Sequence, residues 1–316
     1  MKFSITIPAY KRTYLKECID SILAQTSTDF ELIIVNDASP EDLDSIVNSF
    51  SDSRIRYYKN EKNCGAIDVV DNWNICLSYA IGDYVMCIGD DDKLCSNCLE
   101  AFHDLIRKYP EVDILHCRSY LINDASEIIG LTPSWPERES LCANMWHRIK
   151  GLRVQFIGDF VYKTLPLKAK GGFYKLPLAW GSDDISSYMA MQNNGIVHTE
   201  QPLFCYRRSG ITISNSGSSL NKIKAIKKEE EWYYSFLDKM GNINGYDEIF
   251  YNNIRQELPH YFKVKILETI AYNGISKKIL KDFLYWKKMQ STTKLSNKEL
   301  VYAFILAIKK HTANKT

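Results

Sequence analysis

The sequence of 316 residues lacks any apolar run close to the roughly 20 residues that a membrane-spanning helix needs. It also lacks an internal repeat and a long low-complexity segment. No G-x-G-x-x-G fingerprint follows the first predicted strand and no Walker A pattern occurs, so neither a dinucleotide fingerprint nor a P-loop is predicted. A phosphate-binding site in this chain must therefore rely on a metal ion and basic side chains rather than on a glycine-rich loop.

The cysteines lack the spacing of a zinc finger. Cys95 and Cys98 form one C-x-x-C pair, but no second pair follows, and this spacing also suits one face of a helix. The nine cysteines are scattered, often inside apolar runs, where a free thiol packs as a small hydrophobic group. Met1-Lys2-Phe3 lead into a strand pattern rather than into a signal peptide. Reduced cysteines and a cytoplasmic location are therefore expected.

Charge is distributed unevenly along the chain. The whole sequence carries a net charge of +2, whereas ten lysines between Ser276 and Thr316 are opposed only by Asp282 and Glu299. This tail therefore carries +8 and the first 275 residues carry −6. A basic tail indicates an anionic partner, either lipid headgroups or nucleic acid. No recognised nucleic-acid-binding module accompanies the charge, so no nucleic acid partner is expected.

With 45% hydrophobic and 25% charged residues, the composition is that of a globular protein of one large domain or two. Its first half alternates strand and helix patterns. Strands are predicted at Phe3–Ala9, Phe30–Asn36, Arg54–Tyr58, Asp83–Ile88 and Val112–Tyr120. Helices are predicted at Tyr14–Gln25, from Pro40 with Ser39 as N-cap, at Ala66–Ala80 and at Asn97–Tyr109. This rhythm is typical of an α/β fold with a mostly parallel, doubly wound sheet flanked by helices.

The pattern changes in the second half of the chain. After Gly130, tryptophans among Pro and Gly residues indicate a mixed, loop-rich region, and beyond Ser219 the chain is mainly helical in pattern. The predicted helices there are Asn221–Lys239, Tyr246–Tyr272, Ser276–Gln290 and Ser296–His311.

Polar clusters follow four of the predicted strands. They are Tyr10-Lys11-Arg12, Asn36-Asp37-Ala38-Ser39, Asn60–Gly65 and Asp90-Asp91-Asp92. In a doubly wound sheet, ligands bind beyond the carboxyl ends of the strands at a topological switch point. The four clusters are therefore expected to gather along one edge of the sheet.

The aspartate triplet 90–92 directly follows an apolar run that ends at Gly89. Neighbouring like charges raise one another's pKa, and no Lys or Arg interrupts the triplet. One resolution is a hard cation such as Mg²⁺ or Mn²⁺ that bridges one or two carboxylates to a phosphate. The alternative is an Asp-rich turn that caps the next helix. The convergence of the other polar clusters favours the metal–phosphate site.

Further motifs occur in a fixed order along the chain. They are Ile5–Arg12 (ITIPAYKR), Cys18–Thr26 (CIDSILAQT), Phe30–Ser39 (FELIIVNDAS), Asn63-x-Gly65, Trp73-Asn74, Ala80-x-Gly82-Asp83-Tyr84-Val85, the aspartate triplet, Gly171-Gly172-Phe173 and Asp183-Asp184. This series resembles the family 2 glycosyltransferases of the GT-A fold over roughly residues 3–214. The resemblance implies transfer of a sugar from a nucleotide-diphosphate donor, usually UDP-linked, with inversion at the anomeric carbon.

The resemblance also implies a domain organisation. A GT-A (Rossmann-like) catalytic domain is expected over residues 1–218, with a nucleotide-binding half at 1–120 and an acceptor-side half at 121–218. A helical C-terminal region, basic at its end, would follow at 219–316. The acceptor is expected to be a glycan or a lipid-linked hydroxyl, in the biosynthesis of a surface polysaccharide.

By the same resemblance, Asp37 would accept a hydrogen bond from the nucleotide base, in a pocket that Pro8, Ala9, Tyr10 and Arg12 line. Nucleotide binding is also implied for Asn63, Gly65, Asp90, Arg207 and Arg208.

The family's D-x-D register falls on Gly89-Asp90-Asp91, so Gly89 replaces the first aspartate. Asp91 would then be the direct ligand of a divalent metal (Mn²⁺ or Mg²⁺), with Asp90 near the ribose or the metal. Asp90 and Asp92 also form a D-x-D pattern between them. The metal ligand could therefore lie one residue away from Asp91. The ion would stabilise charge on the leaving diphosphate as a Lewis acid.

Transfer also needs a carboxylate that takes the proton from the attacking hydroxyl, and such a general base typically contributes about 10²–10⁴ in rate. Asp184 matches the second acidic residue of the family's pair and is the first candidate for this base, with Asp183 second. The alternative is that one of them caps a helix over Ile185–Asn193.

The segment Tyr206–Ser214 resembles a family loop of the pattern Y-R-x-H-x-x-S. Either Arg207 or Arg208 would clamp the pyrophosphate through bidentate hydrogen bonds, although arginine is also an ordinary surface residue. Ser209 stands where the family often has His, so no histidine metal ligand is expected.

In the basic tail, apolar and aromatic residues alternate with lysines, as in a helix that binds an anionic membrane surface. Packing of an apolar stripe on the rest of the protein explains the same pattern. Two alternative functions compete for the whole chain. A nucleotidyltransferase would carry a Gly-rich loop where Pro8-Ala9-Tyr10 stand, and a non-catalytic, membrane-associated assembly protein on a transferase fold would have lost the acidic motifs.

Overall fold

The computed structural model describes residues 2–209, 218–241, 243–273, 275 and 278–313. The chain divides into two compact units. The first comprises Met1–Lys175 and Ser182–Gly210, and the second comprises Leu176–Gly181 and Ile211–Thr316.

The first unit is built on one mixed sheet whose described part has ten strands. The strands are β1 (Phe3–Ala9), β2 (Phe30–Asn36), β3 (Ile55–Lys59), β4 (Tyr84–Cys87), β5 (Lys93–Leu94), β6 (Ile114–Ile122), β7 (Ile128–Leu131), β8 (Arg138–Glu139), β9 (Phe160–Lys163) and β10 (Ile196–Arg207). Their order is β3-β2-β1-β4-β9-β6-β10-β5, with β7 paired to β6 and β8 to β10.

The longest ladders in this sheet are parallel: β3, β2, β1 and β4 run in one direction, and β6 pairs in parallel with β10. This confirms the predicted α/β architecture with a mostly parallel sheet. The short strand β9 lies between β4 and β6 and is antiparallel to both. The sheet is therefore parallel in its first half and mixed in its second.

Strands β1 and β2 form the centre of the core. Six of the seven residues of β1 and all seven of β2 are buried, as expected for strands covered on both faces. The covering helices are α1 (Leu15–Leu23), α2 (Asp44–Val47), α3 (Val69–Tyr79), α4 (Cys98–Lys108), α5 (Leu141–Ile149), α6 (Thr164–Ala169) and α7 (Ser182–Met191). Helix α4 shows how a helix covers the sheet: its residues Leu99, Phe102 and Ile106 form one apolar stripe that packs on the sheet.

The predicted helix that opens at Pro40 is wrong, because the only helix in this segment is the single turn α2, which begins at Asp44. Ser39 does not act as its N-cap. Its hydroxyl donates to the carbonyl of Tyr10 (2.5 Å) and accepts the N–H of Glu41 (3.1 Å). The bond to the Tyr10 carbonyl holds the segment against the end of β1. The bond to the N–H of Glu41, two residues ahead, competes with helix formation.

The second unit is helical, with α8 (Ser219–Lys239), α9 (Tyr246–Asn273), α10 (Ile279–Lys288), α11 (Gln290–Thr293) and α12 (Asn297–Ala313). The predicted C-terminal helical region is therefore confirmed. Its buried residues include Ile226, Tyr233, Phe262 and Trp286. In the part of the chain that is described, no helix combines the length and the apolar character needed to cross a bilayer.

Candidate active site at the carboxyl edge of the sheet

Asp90 joins the carboxyl ends of β1 and β4. Its Oδ2 atom accepts the backbone N–H groups of Tyr10 and Lys11, both at 2.6 Å. Burial, followed by the charge of Asp91, raises the pKa of Asp90 to about 6. The two polar clusters that follow β1 and β4 are thus in direct contact, as the topology predicted.

Asp37 collects the ends of β2 and β3. Its Oδ1 atom accepts the side-chain amide of Asn60 (2.8 Å) and the backbone N–H of Cys64 (3.0 Å). Asn63 donates from Nδ2 to the Asp37 carbonyl (2.8 Å), and Gly65 turns the chain into α3 with a φ of 80°. The Asp37 N–H donates to the carbonyl of Ala9 (2.9 Å), which links this pocket to β1. All four predicted polar clusters therefore meet at one edge, which confirms their expected convergence.

The remaining residues predicted to line the nucleotide pocket lie at the same edge. Pro8 and Ala9 are the last residues of β1, and Ala9 is fully buried. Tyr10 follows with 42% of its surface exposed. Arg12 is exposed, and its backbone N–H donates to Oε2 of Glu41 (2.6 Å). Tyr10 and Arg12 are thus exposed residues of the segment that follows β1, and their backbone groups bond to Ser39 and Glu41.

Gly89 allows the carboxylates of Asp91 and Asp92 to converge. A Cβ atom at residue 89 would lie only 2.8 Å from Oδ2 of Asp92 and 2.9 Å from Oδ1 of Asp91. One oxygen of each carboxylate therefore occupies the same small volume beside Gly89. Burial and then the charge of Asp91 raise the pKa of Asp92 well above its usual range, and burial also raises the pKa of Asp91. The pair concentrates negative charge in a desolvated position.

The triplet does not cap a helix, which was the alternative to a metal–phosphate site. It is followed by the short strand β5, and α4 begins only at Cys98, with Asn97 in the capping position. Among the described residues, no group of three or more His, Cys, Asp or Glu side chains is arranged to hold a metal ion by itself.

Arg207, the last residue of β10, supports the triplet from the protein interior. Its backbone N–H donates to Oδ1 of Asp92 (2.9 Å), and its Nε–H donates to the carbonyl of Asp91 (2.7 Å). The side chain is fully buried. One residue therefore fixes both the backbone at Asp91 and the carboxylate of Asp92.

The other end of the Arg207 guanidinium binds the turn between β6 and β7. Its Nη1 donates to the carbonyl of Asn123 (2.8 Å) and to the hydroxyl of Ser126 (2.9 Å), and its Nη2 pairs with Oε2 of Glu17 (2.8 Å). The guanidinium carbon lies 4.0 Å from the centroid of the Tyr14 ring. With these partners the Arg207 side chain is fully engaged inside the protein.

Tyr206, near the end of β10, is half-buried beside Phe156. Its ring stacks on Phe156 at a centroid distance of 3.7 Å. Burial raises the pKa of Tyr206 to about 12, and the charges of Asp92, Asp91 and Asp183 act in the same direction. The sequence motif contained Tyr206, but nothing in the pattern marked its ring as the partner of Phe156.

Asp183 and Asp184 lie in the first turn of α7, which begins at Ser182 and not at residue 185. Asp184 is 1% exposed, and its Oδ1 accepts Nε of Arg148 (3.0 Å) and Nε2 of Gln155 (2.7 Å). No donor among the described residues forms a hydrogen bond to Oδ2 of Asp184. Asp183 is half-buried. No sequence pattern pointed to Arg148, which lies at the end of α5, or to Gln155, which lies in the loop that follows it.

Two motifs that are far apart in the sequence bind each other. The Asn74 amide donates to the carbonyl of Phe173 (2.9 Å), and its Oδ1 accepts the Phe173 N–H (2.8 Å). Gly172 precedes with a φ of 84°, and a Cβ there would collide with the Asn74 side chain. This arrangement explains why the sequence needs Asn in the first motif and Gly-Phe in the second.

Arg208 is exposed, and its backbone N–H donates to the carbonyl of Ile122 (2.8 Å). The buried Ser209 follows it. The rest of the predicted loop, from Gly210 to Ser214, lies outside the described residues.

The family model of Glycosyl transferase family 2 matches residues 4–155. An uncharacterised glycosyltransferase of Rickettsia typhi is 33% identical over 129 residues, which cover 39% of this chain and 38% of that protein. Glycosyltransferase GlyG of Streptococcus pneumoniae is 31% identical over 108 residues, or 33% of this chain and 35% of that protein. The match therefore spans little more than a third of these relatives. Hyaluronan synthase of Pasteurella multocida is 27% identical over 67% of this chain and 24% of its own length.

Solved structures share the fold. TarS of S. aureus, in complex with UDP-GlcNAc, superposes with a TM-score of 0.68 at 16% identity over 98% of this chain and 89% of that one. The mannosyltransferase PcManGT of Pyrobaculum calidifontis, in complex with GDP-Man and Mn²⁺, gives a TM-score of 0.54 at 15% identity over 99% and 88% of the two chains. The architecture is thus the GT-A fold, and residues 4–155 of the chain match the Glycosyl transferase family 2 model.

Proposed function

We propose that this protein is a metal-dependent, inverting glycosyltransferase that moves a sugar from a nucleotide-diphosphate donor to a hydroxyl acceptor. The observation that carries the proposal is the gathering of carboxylates at one edge of the sheet. Asp90 binds the backbone that follows β1, Asp37 binds the end of β1, and the Asp91 and Asp92 carboxylates both lie beside Gly89. The catalytic domain would comprise residues 1–218, and residues 219–316 would form a helical appendage.

In this proposal the nucleotide lies over the ends of β1 and β2. The Asp37 carboxylate, held by Asn60 and the Cys64 N–H, would accept a hydrogen bond from the base. The exposed Tyr10 ring offers an apolar surface for the base or ribose, and the exposed Arg12 offers positive charge at the rim. Asp90 is already bonded to two backbone N–H groups, so we assign it to holding this edge together beside the ribose.

A divalent cation, Mn²⁺ or Mg²⁺, fits the pair Asp91 and Asp92. Their converging oxygens are the hard ligands that such ions prefer, and the ion would relieve the repulsion between them. Two carboxylates would leave coordination positions open for diphosphate oxygens. When bound, the cation would act as a Lewis acid on the leaving diphosphate. Asp90 stays the third candidate.

Asp184 is proposed as the general base. Arg148 and Gln155 hold one of its oxygens and fix its orientation, which leaves the other for the proton of the acceptor hydroxyl. Asp183, its neighbour in the first turn of α7, would orient the acceptor or the donor sugar. Asp183 remains the second candidate for the base.

The two arginines at the end of β10 are assigned different tasks. The exposed Arg208 would bind the pyrophosphate. Arg207 was predicted as an equal candidate, but its guanidinium is occupied by Asn123, Ser126 and Glu17. We therefore propose that Arg207 positions the Asp91–Asp92 backbone instead of contacting the nucleotide.

The donor is proposed to be UDP-linked and the product a surface polysaccharide or a lipid-linked glycan made on the cytoplasmic side of the membrane. TarS binds UDP-GlcNAc, and relatives of low identity include a hyaluronan synthase and a chondroitin synthase. PcManGT supports a metal-dependent alternative with a GDP-linked sugar.

The proposal is tested with purified protein and a panel of UDP- and GDP-sugars, with Mn²⁺, with Mg²⁺ and with EDTA. We expect one donor class to raise the thermal midpoint by several degrees in the presence of a divalent cation but not in EDTA, and to be hydrolysed slowly in the absence of acceptor. A site that binds ligand at 100 times its Kd stabilises the folded state by about 2.7 kcal/mol. Failure of every nucleotide sugar to bind or react, with metal present, would overturn the proposal.

Gly89 provides a sharper prediction about the metal pair. Gly89→Ala places a methyl group against the Asp91 and Asp92 oxygens and forces them apart. We expect Mn²⁺-dependent binding of the nucleotide diphosphate, measured by titration calorimetry, to weaken about tenfold or more. A loss of one ligand contact of about 1.4 kcal/mol corresponds to that factor.

Gly241→Ala is the matched control for the Gly89 variant, because a Cβ at residue 241 meets no atom within 4 Å. It should leave nucleotide affinity unchanged. Equal Mn²⁺-dependent affinity of Gly89→Ala and the unmodified protein would remove Asp91 and Asp92 as a metal-binding pair.

A further inference from the structure

The C-terminal helix α12 has two apolar faces instead of one. Its inward face is buried and consists of Leu300, Ala303, Phe304 and Ala307. Its outward face carries four large apolar side chains, each 45–54% exposed: Val301, Tyr302, Ile305 and Ile308. These outward residues are spaced by three and four positions and so lie on one side of the helix. Packing of the inward face alone does not explain an apolar outer face.

Helix α8 in the same unit shows the ordinary arrangement. Its inward face buries Ile223, Ile226, Tyr233 and Leu237. Its exposed positions are polar and carry both signs of charge: Lys224, Lys228, Glu231, Ser235, Asp238 and Lys239. A surface helix is expected to look like this. The contrast shows that the outer face of α12 is not a general property of this helical unit.

Helix α10 repeats the pattern of α12 with more charge. Trp286 is buried, and Phe283 contacts Phe304 of α12 with ring centroids 5.3 Å apart. Beside this inward face the helix exposes Leu280 by 75% and Leu284 by 53%. Three exposed lysines accompany the two leucines: Lys281, Lys287 and Lys288. Leucine and lysine are thus combined on a surface that stays exposed among the described residues of this unit.

Lysines outnumber acidic residues on these two helices. Helix α12 adds the exposed Lys298 and Lys309 beside its outer apolar row. The acids from residue 278 to residue 313 are Asp282 and Glu299, and Glu299 is paired with Lys263 of α9 at 2.9 Å. A second copy of this chain docked on the same faces would bring lysine against lysine, which is unfavourable. A negatively charged lipid surface accepts both the apolar row and the lysines.

We propose that the outward faces of α10 and α12 form a docking surface for an anionic lipid bilayer. The apolar residues Leu280, Leu284, Val301, Tyr302 and Ile305 enter the boundary between headgroups and acyl chains. The lysines contact the phosphates at the surface. Docking is peripheral, and it would place the protein where lipid-linked acceptors lie, although it does not depend on the proposed sugar transfer.

The test is co-sedimentation of the full chain with vesicles of pure phosphatidylcholine or of phosphatidylcholine with roughly 30% phosphatidylglycerol, which supplies a negative surface potential. We expect binding to the anionic vesicles only, weakened at least tenfold when NaCl is raised from about 0.1 M to about 0.5 M. The variant Lys281→Gln, Lys287→Gln, Lys288→Gln should lower the partition coefficient about a hundredfold, since each lysine near the surface contributes roughly fivefold.

A matched control removes the same number of positive charges from α8: Lys224→Gln, Lys228→Gln, Lys239→Gln. It should retain most of the vesicle binding. The variant Leu280→Gln, Leu284→Gln, Ile305→Gln should lose binding to anionic vesicles while keeping its helical circular dichroism. The proposal fails if no vesicle binding occurs or if the α8 control loses as much binding as the α10 variant. Salt-resistant self-association that the apolar variant abolishes would instead assign these faces to a second copy.

Discussion

Replacing Asp184 by asparagine is expected to lower kcat for sugar transfer by about 10²–10⁴, the usual contribution of a general base. The fold should persist, because the carboxamide oxygen of the new side chain can still accept the hydrogen bonds that Arg148 and Gln155 donate to Asp184. Donor affinity should change by less than about twofold, since the proposed donor pocket lies around Asp37 and the aspartate triplet. The measurement is the initial rate at saturating donor, with the nucleotide sugar that the binding screen identifies.

Asp183→Asn is the natural comparison, because the two carboxylates are adjacent in the first turn of α7 and Asp184 is the one that Arg148 and Gln155 anchor. As a residue that orients a substrate, Asp183 should affect KM more than kcat. The opposite result, a larger loss of kcat in Asp183→Asn than in Asp184→Asn, would move the base to Asp183. A full rate in both variants would remove the pair from the mechanism.

Because Arg148 and Gln155 anchor Asp184, its catalytic role has to be distinguished from a purely structural one. A buried carboxylate paired with arginine is common in protein interiors and needs no substrate to explain it. If Asp184 were only structural, the asparagine substitution would lower the free energy of unfolding and leave the rate of the folded enzyme unchanged. Kinetics and urea denaturation of the same variant therefore distinguish the two roles.

The position of the site could be predicted from the sequence because it follows from topology. Carboxyl ends of neighbouring parallel strands lie at one edge, so the order of β1, β2 and β4 brings Tyr10, Asp37 and Asp90 together without any knowledge of side-chain packing. The contacts of Asp90 with the Tyr10 N–H and of Asp37 with the Ala9 carbonyl are the result.

The partners of the acidic residues could not be predicted in the same way. Arg148 lies at the end of α5 and Gln155 in the loop that follows it, and no spacing rule connects either residue to Asp184. Strand β9 was missed for a related reason, since four residues between loops give little periodicity to detect. The helix predicted at Pro40 failed because Ser39 bonds to Tyr10, a residue far away in the sequence.

The second large effect is expected when Arg207 is replaced, and it concerns the stability of the fold. Arg207→Met is expected to lower the free energy of unfolding by about 3 kcal/mol or more, the scale of removing one partner from a buried ion pair. The substitution keeps most of the side-chain volume but removes every guanidinium donor. It leaves the carbonyls of Asp91 and Asn123 without their present donors, and it leaves Glu17 without one of its cations.

Arg208→Met is the matched control: it is the same substitution one residue later, on an exposed side chain whose backbone N–H is bonded to Ile122. The effect of Arg208→Met on the free energy of unfolding should stay within about 0.5 kcal/mol, as for most surface substitutions.

In nucleotide binding, Arg208→Met should have the larger effect of the two variants, because the pyrophosphate contact is assigned to Arg208 and only the support of the triplet to Arg207. The measurements are urea denaturation of the apo protein and calorimetric titration with nucleotide at a temperature where both variants are folded. Equal stability of the two variants would contradict the structural role of Arg207, and a larger loss of affinity in a folded Arg207→Met protein would return the pyrophosphate clamp to that residue.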